Sequence, residues 1–126
     1  MDTEEFRRQG HALIDFLADY RAGLASRPVR AQVEPGAVKA RLPAAPPAEP
    51  EPFDRVLADV DDVLVPGLTL WSHPRFFGFF PSNGELSSVL GDYLSTGLGV
   101  LGLSWQASPA LSELEGEGDE TPLADR

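Results

Sequence analysis

Along the first two dozen residues the apolar side chains Phe6, Leu13, Phe16, Leu17, Tyr20 and Leu24 recur at helical spacing, with charged groups between them. Asp2 and Glu5 stand three apart in the order of a capping box, so the pattern predicts a long amphipathic helix over about residues 3–25. A second stripe, Phe53, Val56, Leu57, Val60 and Leu64, predicts a helix over 53–65 that Pro66 and Gly67 terminate. Asp54, Asp59, Asp61 and Asp62 lie mostly off that stripe and read as its solvated face, not as paired catalytic carboxylates. Ser82 and Glu85 again have capping-box spacing, which predicts a third helix over 83–99 carrying Leu86, Val89, Leu90, Tyr93, Leu94 and Leu98. Ser108 followed by Pro109 has the form of an N-cap and first-turn pair, opening a short fourth helix over 109–115. Between the first two helices, Pro28, Pro35, Pro43, Pro46, Pro47, Pro50 and Pro52 remove amide donors and fix φ, so residues 28–52 are expected to be an extended connector without regular structure. The expected class is mainly α, without internal repeats.

Composition narrows the chemistry. A chain of 126 residues with 42% apolar and 24% charged content has the size and balance of one ordinary domain. Its net charge of −10 argues against nucleic acid, whose affinity rests on clustered Lys and Arg. No apolar run approaches the ~20 residues of a bilayer span, and the N-terminus "MDTEEFRRQGH" carries acids where a signal peptide would be basic and then apolar. These features place the chain in the cytoplasm and away from membranes. Cysteine is absent, which removes disulfides, thiolate chemistry and cysteine zinc sites. His11 and His73 are far apart and belong to no ligand-spaced cluster, so no metal site is expected.

Two stretches invite a functional reading. "GLGVLG" at 97–102 matches the spacing GxGxxG of dinucleotide sites, but it ends an apolar helix instead of joining a strand to a helix, so the nucleotide reading fails on context. Its glycines, with Gly91, would instead admit a closely packed backbone or loosen the helix end before a turn. "LWSHPRFFGFFPSNGE" at 70–85 places five aromatic side chains within ten residues. Those rings could fill the chain's own core, form a face for another chain, or wall a ligand pocket. Composition alone favours the core, since aromatic clusters are mostly core. Three short amphipathic helices, however, offer little area to cover these rings together with Trp105 and three apolar stripes, which keeps exposed surface that seeks a partner open as an alternative. Attachment of "RFFGFF" to a membrane surface is disfavoured by the net acidity, because anionic lipids attract basic segments.

The runs "QVEPG" at 32–36, "LPAAPP" at 42–47, "VPGLTLWSHPRFFGFFPSN" at 65–83 and "GLSWQASPALSELE" at 102–115 occur together and in order. In this the chain resembles the N-terminal part of the group II pyridoxal-phosphate-dependent decarboxylases, and in style the bacterial aromatic-L-amino-acid (DOPA) decarboxylases. The resemblance runs from about residue 2 to Glu115. It implies the open N-terminal helical lobe, three to four helices with a long proline-rich connector, of a fold type I pyridoxal-phosphate enzyme. That lobe lies across a partner subunit in a homodimer. The implied activity is that of a carboxy-lyase acting on aromatic L-amino acids, with pyridoxal 5'-phosphate as electron sink. Carried over residue by residue, the resemblance assigns Trp71, Phe79, Phe80, Pro81 and Ser82 to the substrate side-chain pocket, with Leu101 and Leu103 reaching in from the other subunit. Relatives often have tyrosine at position 79 and threonine at 82, which bears on how ring hydroxyls are met. Ser82 has a second reading as a simple helix cap.

Departures qualify the expected activity. Such an enzyme needs a lysine to hold its cofactor, and the only lysine is Lys39, in the connector, where the family places none. After Glu115 the sequence turns to "GEGDETPLADR", an acidic, stripe-free stretch, so 116–126 is expected to be a divergent, disordered tail. The sequence reading is thus of a truncated or frame-shifted lobe, inactive alone and without the large cofactor domain. The alternative is a non-catalytic helical interaction module that binds a partner protein, such as a full-length decarboxylase subunit.

Overall fold

The structure is a computed structural model that describes residues 1–80 and 84–116. Among them every regular element is helical. Two compact units divide the chain, Met1–Asn83 and Gly84–Arg126.

In the first unit, α1 runs Thr3–Ala22, and the Asp2 carboxylate accepts the Glu5 amide at 2.8 Å, the N-terminal half of the expected capping box. A 3-10 turn, Leu24–Ser26, carries the chain out of the helix and buries Leu24. The connector departs from expectation, because a short helix, α2, forms at Ala37–Arg41. Proline breaks a helix interior and disfavours helix at the residue before it, and 36–42 is a window free of proline between Pro35 and Pro43. Residues 43–52, beyond that window, have no regular element.

Helix α3, Phe53–Asp59, packs against α1 and continues as a π-helical turn, Val60–Leu64, and a 3-10 turn, Val65–Gly67. The widened turn follows from Pro66. Its ring crowds the carbonyl four residues earlier, that of Asp62, and it has no amide to offer it. The Arg41 guanidinium of α2 donates to that Asp62 carbonyl, so a side chain replaces the bond that proline removes. Close contact also ties α2 to the 3-10 turn, since a Cβ on Gly67 would stand 2.7 Å from Val38 Cγ2. Valine is stiff at χ1, so Gly67→Ala must push α2 away. We expect it to destabilise the first unit by about 1–2 kcal/mol, read as a lower urea midpoint.

The core so built is thin: Leu24, Val65 and Leu70 are its buried apolar side chains among the described residues. Gln9 and His73 are buried with them in the first unit.

The second unit contains α4, Leu86–Leu98, and α5, Pro109–Gly116. Helix α4 starts later than the Ser82 spacing suggested. Glu85 is its N-cap and makes no side-chain capping bond, while Ser82 lies outside the described residues. Gly99, at φ 62°, closes α4 in the left-handed conformation that glycine tolerates best, so "GLGVLG" acts as a helix stop. Ser108 caps α5 through its hydroxyl, which accepts the Leu111 amide at 3.3 Å. Residues 117–126 of the expected tail lie outside the described residues.

Candidate functional site

The aromatic stretch begins where the 3-10 turn after α3 ends. Leu70 is buried, and its amide donates to the Val29 carbonyl at 2.8 Å, tying the stretch to the start of the connector. Two tight turns follow. The His73 amide donates to Leu70 O at 3.0 Å and the Phe76 amide to His73 O at 2.9 Å. They return Phe76 to Trp71, and the two rings stack with centroids 5.5 Å apart and planes at 21°. Phe79 closes the group, 5.5 Å from Trp71 at 12° and 6.5 Å from Phe76 at 33°. Each separation falls within the range in which aromatic pairs attract beyond simple burial.

Phe79 reaches this place in the left-handed region, with φ 54°. For a bulky side chain that conformation is a strained exception. The stack is open to water, since Trp71 is 49% and Phe79 80% exposed. Phe77 and Phe80 stand out into solvent on either side of Gly78 and Phe79. This is neither a core nor a closed pocket. It is a flat aromatic wall, preformed and uncovered.

Of the residues assigned from sequence, the structure brings Trp71 and Phe79 together and leaves Phe80 exposed beside them. Pro81 and Ser82 lie outside the described residues. Leu101 and Leu103 belong to the second unit, where both are exposed. Sequence reasoning missed Phe76 as a member of the wall and His73 as its neighbour in the turn. The available signal was the "HP" dipeptide, since proline after a short acceptor side chain favours a turn.

The described residues do not fit pyridoxal phosphate. Lys39 is exposed in the last turn of the five-residue α2 and is the sole lysine. His11 is exposed on α1, and His73 is buried with its Nδ1 engaged by the Arg75 amide, so neither ring is presented to a flat cofactor. No group of three or more His, Asp or Glu side chains is placed to hold a metal ion among the described residues. No described helix is long and apolar enough to cross a membrane. A cleft of about 270 Å³ between Arg27–Gln32 and Val65–Leu70 has no ring of the wall in its lining.

Comparison with known proteins gives a consistent picture. The profile of the "Pyridoxal-dependent decarboxylase conserved domain" matches residues 35–117. A tyrosine decarboxylase of Papaver somniferum is 51% identical over 115 residues, which are 91% of this chain and 22% of the relative. The solved structure of Catharanthus roseus tryptophan decarboxylase in complex with L-tryptophan superposes with a TM-score of 0.84 at 42% identity, over 91% of this chain and 25% of that one. The Rhodiola rosea 4-hydroxyphenylacetaldehyde synthase structure superposes with a TM-score of 0.86 at 38% identity, over the same 91% and 25%. The chain therefore spans about a quarter or less of the length of these relatives. All three are plant proteins. By sequence and by fold, the chain belongs to the pyridoxal-dependent decarboxylase family.

Proposed function

We propose that this chain supplies the wall of the substrate side-chain pocket and part of the subunit interface of a pyridoxal-dependent L-amino-acid decarboxylase, and that the side chain received is aromatic. The observation that carries the reading is the uncovered stack of Trp71, Phe76 and Phe79. A flat apolar surface gains most from a flat apolar ligand, and an added offset-stacked ring contributes about 0.5–1.5 kcal/mol beyond the area it buries. The names of the relatives support the substrate class, since tyrosine and tryptophan decarboxylases share this segment. In this reading Trp71, Phe79, Phe80 and Pro81 contact the ring, and Ser82 offers a hydroxyl to a polar substituent. Leu101 and Leu103 enter the pocket of the partner subunit in a homodimer. A cytoplasmic setting rests on composition alone.

In the family the cofactor supplies the sink for electrons left when CO2 departs. This chain has no lysine at the wall to hold it, so its own part is to bind and orient the side chain. Incubated with pyridoxal phosphate and tyrosine, DOPA or tryptophan, the 126-residue chain should release no CO2. Turnover by the chain alone would overturn that assignment. Grafted in place of the matching segment of a tryptophan decarboxylase, it should support CO2 release from aromatic amino acids and not from glutamate. The reverse preference would remove the aromatic reading.

A second reading is an interaction module without chemistry, favoured by α4, on which no residue is buried. Size-exclusion chromatography with a full-length relative tests it. A chain that elutes alone and unchanged has no such role.

A further inference from the structure

His73 is only 3% exposed, yet it is polar and serves neither the wall nor a cofactor directly. Its Nδ1 accepts the Arg75 amide at 2.9 Å, while its buried Nε2 has no hydrogen-bond partner. A buried, unpaired ring nitrogen is destabilising, a cost that an apolar residue would avoid. The compensating role lies in what the other polar atoms of His73 do. Its amide, its carbonyl and its Nδ1 bond in turn to Leu70, Phe76 and Arg75, which bracket every residue from the buried anchor to the second ring of the stack.

Pro74 gives this arrangement its logic. It has no amide, so the first N–H beyond His73 that the ring can bind is that of Arg75. A side-chain acceptor bonded to the amide two residues on is the geometry of an Asx turn, with an imidazole in place of a carboxamide. Because Nδ1 must offer a lone pair, the neutral ring carries its proton on Nε2. A proton on Nδ1 would set two donors face to face.

We propose that His73, as the Nε2–H tautomer, is the positioning residue of the aromatic wall: its Nδ1 bond to Arg75 holds the two turns that bring Phe76 and Phe79 onto Trp71. The role of that wall in substrate binding rests on the function proposed above, but the positioning itself does not. The experiment therefore reads the wall and not catalysis. In a Trp105→Phe, His11→Asn background of the full chain, Trp71 is the only indole and His73 the only imidazole. Nitrogen-15 NMR should show an unprotonated Nδ1 and a protonated Nε2.

His73→Asn, whose Oδ1 can take the place of Nδ1, should keep most of the near-ultraviolet circular dichroism of the Trp71 stack. His73→Leu and His73→Gln should lose more than half of it. If His73→Leu unfolds the chain, recovery of both helix and stack signals by His73→Asn still supports the proposal. His73→Asn as damaging as His73→Leu, or a protonated Nδ1, overturns it. Aromatic amino acids that leave the Trp71 signal unmoved would count against the pocket reading alone.

Discussion

Leu94→Asp, and independently Leu98→Asp, should weaken association of the chain with itself or with a full-length relative by on the order of 100-fold or more while leaving its helix content unchanged. Leu86, Leu90, Leu94 and Leu98 recur every four residues along α4, with Val89 and Tyr93 beside them, and each is at least 40% exposed. A surface helix of a soluble domain normally buries such a stripe, and this one buries no residue at all. Covering one leucine is worth about 1.5–3 kcal/mol, and a carboxylate facing apolar surface adds a desolvation cost. A loss of about 2.7 kcal/mol already corresponds to 100-fold in a dissociation constant. Added Cβ atoms at Gly91 and Gly97 would meet open space, so the helix also offers two places where another backbone can approach. Sedimentation equilibrium reads the association and far-ultraviolet circular dichroism reads the helix. Unfolding by Leu94→Asp would show that the stripe is internal core, and unchanged association would show that it is no interface.

How far the sequence could anticipate this architecture depended on the range of the forces involved. Asp2 and Ser108 act on amides three residues away, and both caps were legible from spacing. The helical stripes were likewise set by local period. What escaped was created by contacts across the chain or by geometry that a proline count does not express. Helix α2 needed the proline-free window after Pro35, together with the Val38 contact with Gly67 and the Arg41 bond to Asp62. The π turn needed recognition that Pro66 both crowds and deprives one particular carbonyl. At the site, the family resemblance named Trp71 and Phe79, but no spacing rule stacks Phe76 on Trp71 or puts Phe79 at positive φ. His73 was set aside as a metal ligand, and its use as a turn acceptor is visible only once Nδ1 and the Arg75 amide are seen to face each other.

The wall itself should be measurably coupled. Trp71→Ala removes two ring pairs and a half-exposed indole. At about 0.5–1.5 kcal/mol per pair, with the lost burial added, we expect the first unit to lose about 2–3 kcal/mol. Urea titration followed by far-ultraviolet circular dichroism measures it. Combining Trp71→Ala with Phe79→Ala should give a coupling energy of about 0.5–1.5 kcal/mol. A value near zero would mean that the parallel rings do not hold each other. Phe79 then separates stacking from strain. Phe79→Ala loses the ring but keeps the left-handed backbone, which costs a residue with a Cβ about 1–2 kcal/mol. Phe79→Gly loses the same ring and relieves that cost, at an entropic penalty of about 0.5–1 kcal/mol in the unfolded chain. Glycine should therefore equal or exceed alanine here by up to about 1.5 kcal/mol, reversing their usual order. If alanine proves the more stable, Phe79 does not hold φ near 54° in solution, and the stack must be assembled some other way.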